Sequence, residues 1–313
     1  MSAAGEERWE LGRGDARYPT ALLDLERPPE VLYGRGDPAA LAGPCVSVVG
    51  ARHATPYGLA VAEMAARVAA ECGVTVVSGG AMGCDRAAGL AALRARGRTV
   101  VVSGCGADLT YPAASADLFE AALAAGGAVV SLERWGQGPR RWAFPKRNAV
   151  IAALSEVLVV TEAGLRSGTM STAEAAAALG RTVYAIPGSI FSPGSAGTNL
   201  LIAEGARVIP DERALEVSLA LDYGVARFAE GGHETGEGPV AAALIASPAR
   251  PDELAERLNE SVLTILRTLS DYEARGIVER LPDGRYSPTR ALLLGHADAH
   301  PELRMQEFKP SDT

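Results

Sequence analysis

The 313-residue sequence predicts an α/β fold in which a doubly wound parallel sheet is followed by a small winged-helix domain. Short, apolar, β-branched runs such as Val46–Val49 and Val74–Val77 alternate with segments of helical pattern. Strands buried on both faces show such continuous apolar runs, and parallel neighbours need a crossover helix between them. A group of short helices followed by a hairpin pattern near the C-terminus indicates the second domain.

The predicted elements of the sheet alternate from residue 45 to residue 209. Strands are expected at residues 46–49, 74–77, 99–102, 128–132, 157–160, 183–186 and 207–209. Helices are expected near residues 57–71, 85–96, 115–124, 146–154, 170–179 and 199–204. The preceding segment Pro29–Tyr33 has the composition of one additional short strand. This alternation predicts right-handed βαβ units with helices on both faces of the sheet.

The carboxyl ends of these strands are rich in Gly, Ser and Thr. Gly50 ends the first strand, and later strands end in the segments Ser78–Gly83, Ser103–Gly106, Thr161–Thr169 and Pro187–Thr198. Open α/β sheets bind ligands at this edge, and Gly-rich loops that begin a helix present backbone N–H groups to phosphate. A phosphate-rich ligand is therefore expected. Neither a dinucleotide-binding Gly-x-Gly-x-x-Gly nor a Walker A loop occurs, which disfavours NAD binding and ATP hydrolysis.

The segment Trp135–Asn148 combines cations with aromatic rings. They alternate over a few positions: Arg140, Arg141, Trp142, Phe144, Lys146 and Arg147. Cations neutralise successive phosphates while rings stack on bases, so this composition is typical of a single-strand site. A solvated loop whose rings dock on the core is the alternative. Arg52, just after the first strand, is expected to contact phosphate, with a buried carboxylate as its other possible partner.

Composition limits the function further. The formal charge of −8 disfavours duplex-DNA binding over the whole surface but allows a local basic cleft. The four cysteines form no Cys-x-x-Cys pair, so burial is expected, with no metal and no disulfide. The sequence contains no run of about 18 apolar residues. The N-terminus carries the acidic residues Glu6 and Glu7 and has no apolar stretch after them, which disfavours a signal peptide. These observations predict a cytoplasmic protein that contacts no membrane and carries no cofactor.

The C-terminal third has the pattern of a winged helix. Helices are expected at residues 240–245, 251–258 and 261–274, followed by strands at 277–281 and 285–287 joined through Pro282-Asp283-Gly284. Seven arginines and eight acidic residues lie between Arg250 and Arg290. Duplex binding needs a net positive face, so a protein contact or a weak accessory role is favoured for this domain.

Several motifs, in order along the chain, resemble those of the DprA/Smf DNA-processing proteins. They are Gly50-Ala51-Arg52, Ser78-Gly79-Gly80-Ala81-Met82-Gly83-Cys84-Asp85, Gly104-Cys105-Gly106, Phe144-Pro145-Lys146-Arg147-Asn148, Ser167-Gly168-Thr169 and Pro187-Gly188. The resemblance covers about residues 19–210. It implies a non-enzymatic protein that dimerises, binds and protects incoming single-stranded DNA, and loads RecA recombinase on it during natural transformation.

The resemblance also implies an organisation and a site. The expected parts are an N-terminal extension (1–43), an extended Rossmann-like domain that binds single-stranded DNA (44–212), a linker (213–239), a winged-helix domain (240–290) and a polar tail (291–313). The implied DNA-binding residues are Gly50, Arg52, Gly79, Gly80, Phe144, Lys146, Arg147, Asn148, Ser167, Gly168 and Thr169. The cations and Asn148 would grip the strand, and the small residues would donate hydrogen bonds. Ala51 and Ala149 depart from the family pattern, which has Ser or Thr and an arginine there.

Two other functions remain as alternatives. Ser167–Glu174 resembles the phosphate loop and acid of nucleoside-phosphate phosphoribohydrolases, which predicts a nucleotide sensor or an enzyme with Glu174 as the acid. A transcription regulator that uses the winged domain is the other alternative. Asp85 and Glu162 also follow strands, where a carboxylate caps a helix or orients loop N–H groups more often than it acts as an acid or base.

Overall fold

The computed structural model describes residues 8–227 and 239–293. The chain divides into two compact units, Met1–Glu230 and Gly231–Thr313. In the described ranges, none of the helices has the length and apolar character that crossing a membrane requires.

One sheet of nine strands runs through residues 8–227. Its strands are β1 Arg8–Gly12, β2 Val31–Gly36, β3 Cys45–Val49, β4 Thr75–Ser78, β5 Thr99–Ser103, β6 Ala128–Ser131, β7 Val157–Val160, β8 Thr182–Ala185 and β9 Arg207–Val208. The spatial order is β1-β2-β6-β5-β4-β3-β7-β8-β9. Strands β3 to β9 are parallel to one another. The predicted doubly wound parallel sheet is confirmed, and its direction of winding reverses between β3 and β7.

Helices cross over between the parallel strands. They are α1 Pro56–Glu71, α2 Cys84–Arg94, α3 Ala116–Ala124, α4 Ala143–Ala153, α5 Gly168–Ala178, α6 Ala196–Ala203 and α7 Glu212–Tyr223. Thr55 caps α1 by accepting a hydrogen bond from the Gly58 N–H, and Pro56 occupies the first turn. Helix α4 begins three residues earlier than the sequence pattern predicts, because Pro145 is tolerated within a first turn.

The core lies on both faces of the sheet. On β3, Val46 and Val48 pack on the side that carries α1 and α2, whereas Cys45 and Val49 pack on the side of α4 and α5. Alternate residues of one strand thus enter different cores, which is why the strand reads as a continuous apolar run.

The N-terminal segment extends the sheet by two strands. β2 includes part of the segment that suggested one short strand, and it pairs antiparallel with β6. β1, which the sequence pattern did not reveal, pairs antiparallel with β2. The Trp9 indole N–H donates to the Gly36 carbonyl at 2.8 Å, and the ring lies against Gly34, where a side chain would collide with it. The predicted N-terminal extension is therefore part of the first unit.

Helix α7 also belongs to the first unit. Its Leu215 and Leu219 are fully buried in the core that contains α1. The predicted linker at 213–239 therefore begins with a packed helix, and its residues 228–238 lie outside the described ranges.

The second unit is described from residue 239 to residue 293. It contains α8 Pro239–Ala246, α9 Pro251–Leu258, α10 Val262–Ala274, β10 Val278–Arg280, β11 Tyr286–Pro288 and α11 Arg290–Leu293. The two strands pair antiparallel, and the core includes Leu244, Leu254, Ile265 and Leu269. The predicted helices and hairpin are present, and assignment to the winged-helix class stays a prediction. Of the predicted tail, residues 294–313 lie outside the described ranges.

Candidate nucleic-acid interface

A cleft of about 550 Å³ opens at the carboxyl edge of the sheet. It lies between the loops that follow β3 and β7, the point where the winding of the sheet reverses and where open α/β sheets bind their ligands. Its lining includes Arg52, His53, Arg147, Asn148, Arg166 and Gly168. Seven of the eleven predicted site residues therefore line one cavity with two further basic side chains: Gly50, Arg52, Arg147, Asn148, Ser167, Gly168 and Thr169. Gly79, Gly80, Phe144 and Lys146 are not part of its lining.

Arg52 and Phe144 form the first contact of this edge. Arg52 is exposed, and its guanidinium carbon lies 5.7 Å from the centroid of the half-buried Phe144 ring. The Phe144 ring packs against Gly104, where even a methyl group would collide with it, and lies 6.0 Å from the Tyr111 ring. Packing thus holds the Phe144 ring in place, and the exposed Arg52 guanidinium lies over it.

Lys146 and Trp142 form a second contact of the same kind. The Lys146 ammonium nitrogen lies 4.7 Å from the centroid of the Trp142 ring. Lys146 is exposed and Trp142 is 47% exposed, so both groups face solvent at the start of α4. This exposure disfavours the alternative interpretation, in which the Trp142 ring of a solvated loop docks on the core.

Arg147, in contrast, is directed into the protein. It is only 6% exposed, and its Nη1 donates hydrogen bonds to the carbonyls of Gly79 and Val102. Burial lowers the pKa of the guanidinium, and the nearby Asp85 carboxylate opposes that change. Arg147 also lines the cleft, and direct contact between its side chain and a strand stays a prediction.

Asp85 engages the loop amides that were expected to bind phosphate. Its carboxylate accepts hydrogen bonds from the N–H groups of Gly79 at 3.1 Å and Gly50 at 3.4 Å, and also from Ala81. Burial raises the pKa of this carboxyl, whereas Arg147 and the three amides oppose the rise. The expected role of Asp85 in orienting loop N–H groups is confirmed. The amides of Gly50 and Gly79 are consequently occupied from inside the protein.

The side chain of Asn148 is also engaged. Its Oδ1 accepts a hydrogen bond from Arg147 Nε at 3.2 Å, and its Nδ2 donates to the Gly168 carbonyl at 3.3 Å and to Ser171 Oγ at 3.0 Å. Asn148 therefore ties α4 to the first turn of α5 while it lines the cleft.

The remaining predicted residues organise the start of α5 and the loop after β4. Ser167 caps α5 by accepting from the Thr169 N–H, and the Thr169 hydroxyl donates to the Gly50 carbonyl at 2.9 Å. Gly168 is exposed at this positive helix end. Gly80 is buried with φ +64°, and a side chain there would meet Val101. Glycine is thus required at residue 80 by the backbone and the packing.

Two further carboxylates, Glu162 and Glu174, were considered for catalysis, and neither lies where a catalytic acid is expected. Glu162 is buried and accepts hydrogen bonds from the Thr55 N–H at 2.8 Å and the Thr55 hydroxyl at 2.7 Å, which confirms its orienting role. Glu174 is exposed and does not line the cleft. The phosphoribohydrolase spacing Gly-Thr-x-x-Glu places the acid at Thr172, which is buried and does line it. The proposed catalytic acid is therefore corrected: a threonine occupies its position.

Two basic residues at the cleft were not among the predicted site residues. His53 and Arg166 are both exposed and line the cavity, His53 after β3 and Arg166 in the loop before α5. Their position directly beside the motif residues Arg52 and Ser167 was the signal available in the sequence. Across residues 8–227 and 239–293, no cluster of His, Cys, Asp and Glu has the makings of a metal site.

Comparisons with known proteins agree on one family. Residues 10–219 match the model of the family described as DNA recombination-mediator protein A. The chain is similar to protein Smf of Synechocystis, with 39% identity over 209 residues that cover 66% of this chain and 52% of that protein. This chain thus spans about half the length of that relative.

Two solved structures share the fold. DNA processing protein A of Streptococcus pneumoniae has a TM-score of 0.64 and 34% identity, covering 68% of this chain and 75% of that one. DNA processing protein A of Helicobacter pylori, whose structure concerns a single-stranded DNA binding mode, has a TM-score of 0.63 and 31% identity. That match covers 71% of this chain and 99% of the Helicobacter chain.

Proposed function

The chain belongs to the DNA recombination-mediator protein A family of DNA-processing proteins, and from this premise we propose that it binds single-stranded DNA along the cleft between the β3 and β7 loops. The family expected from the sequence motifs is thereby confirmed. The Helicobacter relative, which binds single-stranded DNA, supports the choice of ligand.

The observation that carries the proposal is the pairing of exposed cations with aromatic rings at the start of α4. Arg52 lies against Phe144, and Lys146 lies against Trp142. Unpaired bases have open faces that stack on rings or guanidinium planes, and the phosphates between them attract the cations. A base pair hides these faces inside the duplex. The arrangement therefore favours a single strand over a double helix.

Local charge is needed because the protein as a whole repels nucleic acid. The net formal charge is −8, whereas the cleft carries the exposed Arg52 and Arg166, and the exposed Lys146 adjoins the cleft residue Arg147 in the chain. The positive end of α5, at Gly168, lies at the same cleft. Binding should therefore be confined to this edge and should weaken steeply as salt increases.

Binding of fluorescent oligo-dT, followed by anisotropy at several salt concentrations, tests the proposal. The wild type is expected to bind, and the double variant Arg52→Gln/Lys146→Gln is expected to lose at least tenfold in affinity. Arg98→Gln is the matched control, because Arg98 is an exposed arginine just before the amino end of β5, at the opposite edge of the sheet. Equal affinity of the double variant and the wild type would refute the proposed interface.

The proposal extends to a role in recombination. We propose that the bound strand is protected and passed to a RecA-type recombinase in the cytoplasm during natural transformation, with no catalytic step by this protein. Motifs shared with the DprA and Smf proteins support this role. A test is whether the protein accelerates formation of RecA filaments on oligo-dT coated with single-strand-binding protein. No acceleration at saturating protein would contradict it.

We also propose that the protein acts as a homodimer. Ile190 and Phe191, in the loop between β8 and α6, are 83% and 89% exposed. Two large apolar side chains side by side on the surface are costly unless another protein surface covers them. A second copy of the chain is the expected occupant.

In the second unit, we propose that α10 contacts protein rather than duplex DNA. Val262, Leu263 and Leu266 are exposed on its first two turns, and Asp271 and Glu273 are exposed on its last. Apolar and acidic side chains are unsuited to a phosphate-lined groove, which agrees with the charge balance of this part of the sequence.

A further inference from the structure

Three side chains form a hydrogen-bonded connection beneath the proposed DNA-binding edge. Asp85 accepts from the amides of Gly50, after β3, and Gly79, after β4. Arg147 donates to the Gly79 carbonyl on the other side of the same peptide segment. Asp85 and Arg147 therefore hold the Gly79 segment from both its donor and its acceptor groups.

The connection continues to two more loops. Arg147 also donates to the Val102 carbonyl of β5 at 2.7 Å, and its Nε donates to Asn148. Asn148 in turn donates to Gly168 and Ser171 at the start of α5. The loops or ends of four neighbouring strands, β3, β4, β5 and β7, are thus joined through three side chains.

We propose that Asp85, Arg147 and Asn148 are positioning residues that hold these four strand ends in the arrangement that binds DNA, and that they do so without contacting phosphate. This inference rests on the proposed single-strand function. It differs from the role that sequence motifs imply for Arg147 and Asn148, namely direct contact with the strand.

Charge and burial support an indirect role. Asp85 and Arg147 are both buried, and their opposite charges lie close enough to influence each other. The pair adds no net charge to the surface. The cations available to phosphate are instead exposed ones such as Arg52, Lys146 and Arg166.

Arg147 is also linked to the stacking ring. Its guanidinium carbon lies 5.7 Å from the centroid of the Phe144 ring, the same distance as that of Arg52. One arginine is buried and the other exposed, so the Phe144 ring is in contact with both the internal connection and the surface cation. Loss of Arg147 should therefore alter the position of Phe144 and, through it, that of Arg52.

Gly79 shows how closely the connection is packed. A Cβ atom at this position would collide with the Arg147 guanidinium and would lie 2.7 Å from Asp85 Oδ2. Such a separation is shorter than a van der Waals contact, so any side chain at residue 79 would separate the pair. Glycine there is explained by the buried pair, with no contribution from a bound phosphate.

The salt dependence of oligo-dT binding separates a positioning residue from a phosphate contact. For single strands, each lost phosphate contact reduces the slope of log K against log salt by about 0.7. Arg147→Gln and Asn148→Ala are expected to raise Kd at least fivefold with the wild-type slope. Arg52→Gln, the direct-contact control, is expected to raise Kd and to reduce the slope. A reduced slope in Arg147→Gln, or wild-type affinity in both positioning variants, would overturn the inference.

Hydrogen exchange of the full chain without DNA provides a test that is independent of the proposed function. Asn148→Ala, the milder change, and Arg147→Gln should both speed amide exchange in the loops 50–55, 78–83 and 164–169 at least tenfold. Exchange in β8 and α6 should stay as in the wild type, which also shows that the variants are folded. If the loops keep wild-type exchange, the positioning role is wrong. If the wild type itself fails to bind oligo-dT while the loops respond, the DNA-binding proposal alone fails.

Discussion

The guanidinium carbon of Arg52 lies 5.7 Å from the centroid of the Phe144 ring, although the two residues are more than ninety positions apart in the chain. Arg52 follows β3 and Phe144 lies in the first turn of α4. The contact places a flat cation and a flat ring at the edge where the cleft opens. A base that stacks there would meet both groups, which makes the geometry of Arg52 as important as its charge.

Arg52→Lys separates these two contributions. The ammonium retains the positive charge but has no plane to stack on a ring or base. We expect the variant to keep the wild-type salt slope for oligo-dT and to bind about 5- to 30-fold more weakly, equivalent to roughly 1–2 kcal/mol of lost stacking. Anisotropy titrations at three salt concentrations measure both quantities. Wild-type affinity together with the wild-type slope would show that charge alone matters.

Trp142 provides a direct signal for binding. Of the three tryptophans, Trp9 is buried, whereas Trp142 is 47% exposed beside Lys146. We expect saturating oligo-dT to quench the tryptophan emission and Trp142→Leu to abolish most of the quenching. The same variant should bind about 5- to 100-fold more weakly, the effect of losing one stacked base. Trp135→Phe is the control, since Trp135 donates to Glu10 at the far side of the sheet order. Quenching that persists without Trp142 would place the strand elsewhere.

The sheet and its loops could be predicted from the sequence because burial on both faces leaves a visible pattern. Strands such as β3 and β7 consist almost wholly of apolar residues, and the loops after them carry recognisable motifs. β1 was missed because Arg8–Gly12 alternates polar and apolar residues over only five positions and is defined by its pairing with β2. A short edge strand of this kind depends on a partner that local sequence does not reveal.

The opposite orientations of Lys146 and Arg147 show which property of the site could not be predicted from the motif. Both residues are cations of one motif, and the motif predicts the same direct contact with DNA for both. Helix α4 begins at Ala143, and the buried residues of the helix include Ala143, Arg147, Val150 and Ile151. Their spacing of four, three and one is that of a single helical face, so Arg147 lies on the apolar side and Lys146 on the exposed side. An earlier helix start in the prediction would have revealed this difference.

The proposed dimer surface can be tested at Phe191. Replacement by Asp places a charge where an apolar contact is expected, while a side chain that is 89% exposed contributes little to the fold of one chain. We expect the wild type to have the mass of a dimer by light scattering at micromolar concentration and Phe191→Asp to be shifted to the monomer, with an unchanged melting temperature. Leu23→Asp, at another exposed apolar residue, is the control. A dimer that persists in Phe191→Asp would exclude this loop from the interface.

Stability should depend on pH through the ion pairs that hold α7. Glu212 accepts hydrogen bonds from Arg67 at 2.6 Å and from Arg227 at 2.7 Å. Burial alone would raise the pKa of Glu212, but these two arginines outweigh it and hold the pKa below its ordinary value of 4.5. A carboxyl whose pKa is lowered in the folded state stabilises the fold above its unfolded pKa, and this contribution is lost as the pH falls through the folded pKa.

Glu212→Gln isolates that contribution. Because the Glu212 side chain is 38% exposed, solvent screens the pairs, and we expect the variant to lose only about 0.5–1 kcal/mol of unfolding free energy at pH 7. The difference from the wild type should shrink as the pH falls below 4.5 and through the lowered folded-state pKa. The wild-type carboxyl then becomes protonated and is neutral, as the Gln side chain is at every pH. Urea unfolding at pH 7, 5 and 3.5 measures it, with Glu174→Gln as the control at an exposed position of α5. A difference that stays constant over this pH range would show that the variant acts by packing and that the charge of Glu212 contributes nothing to holding α7.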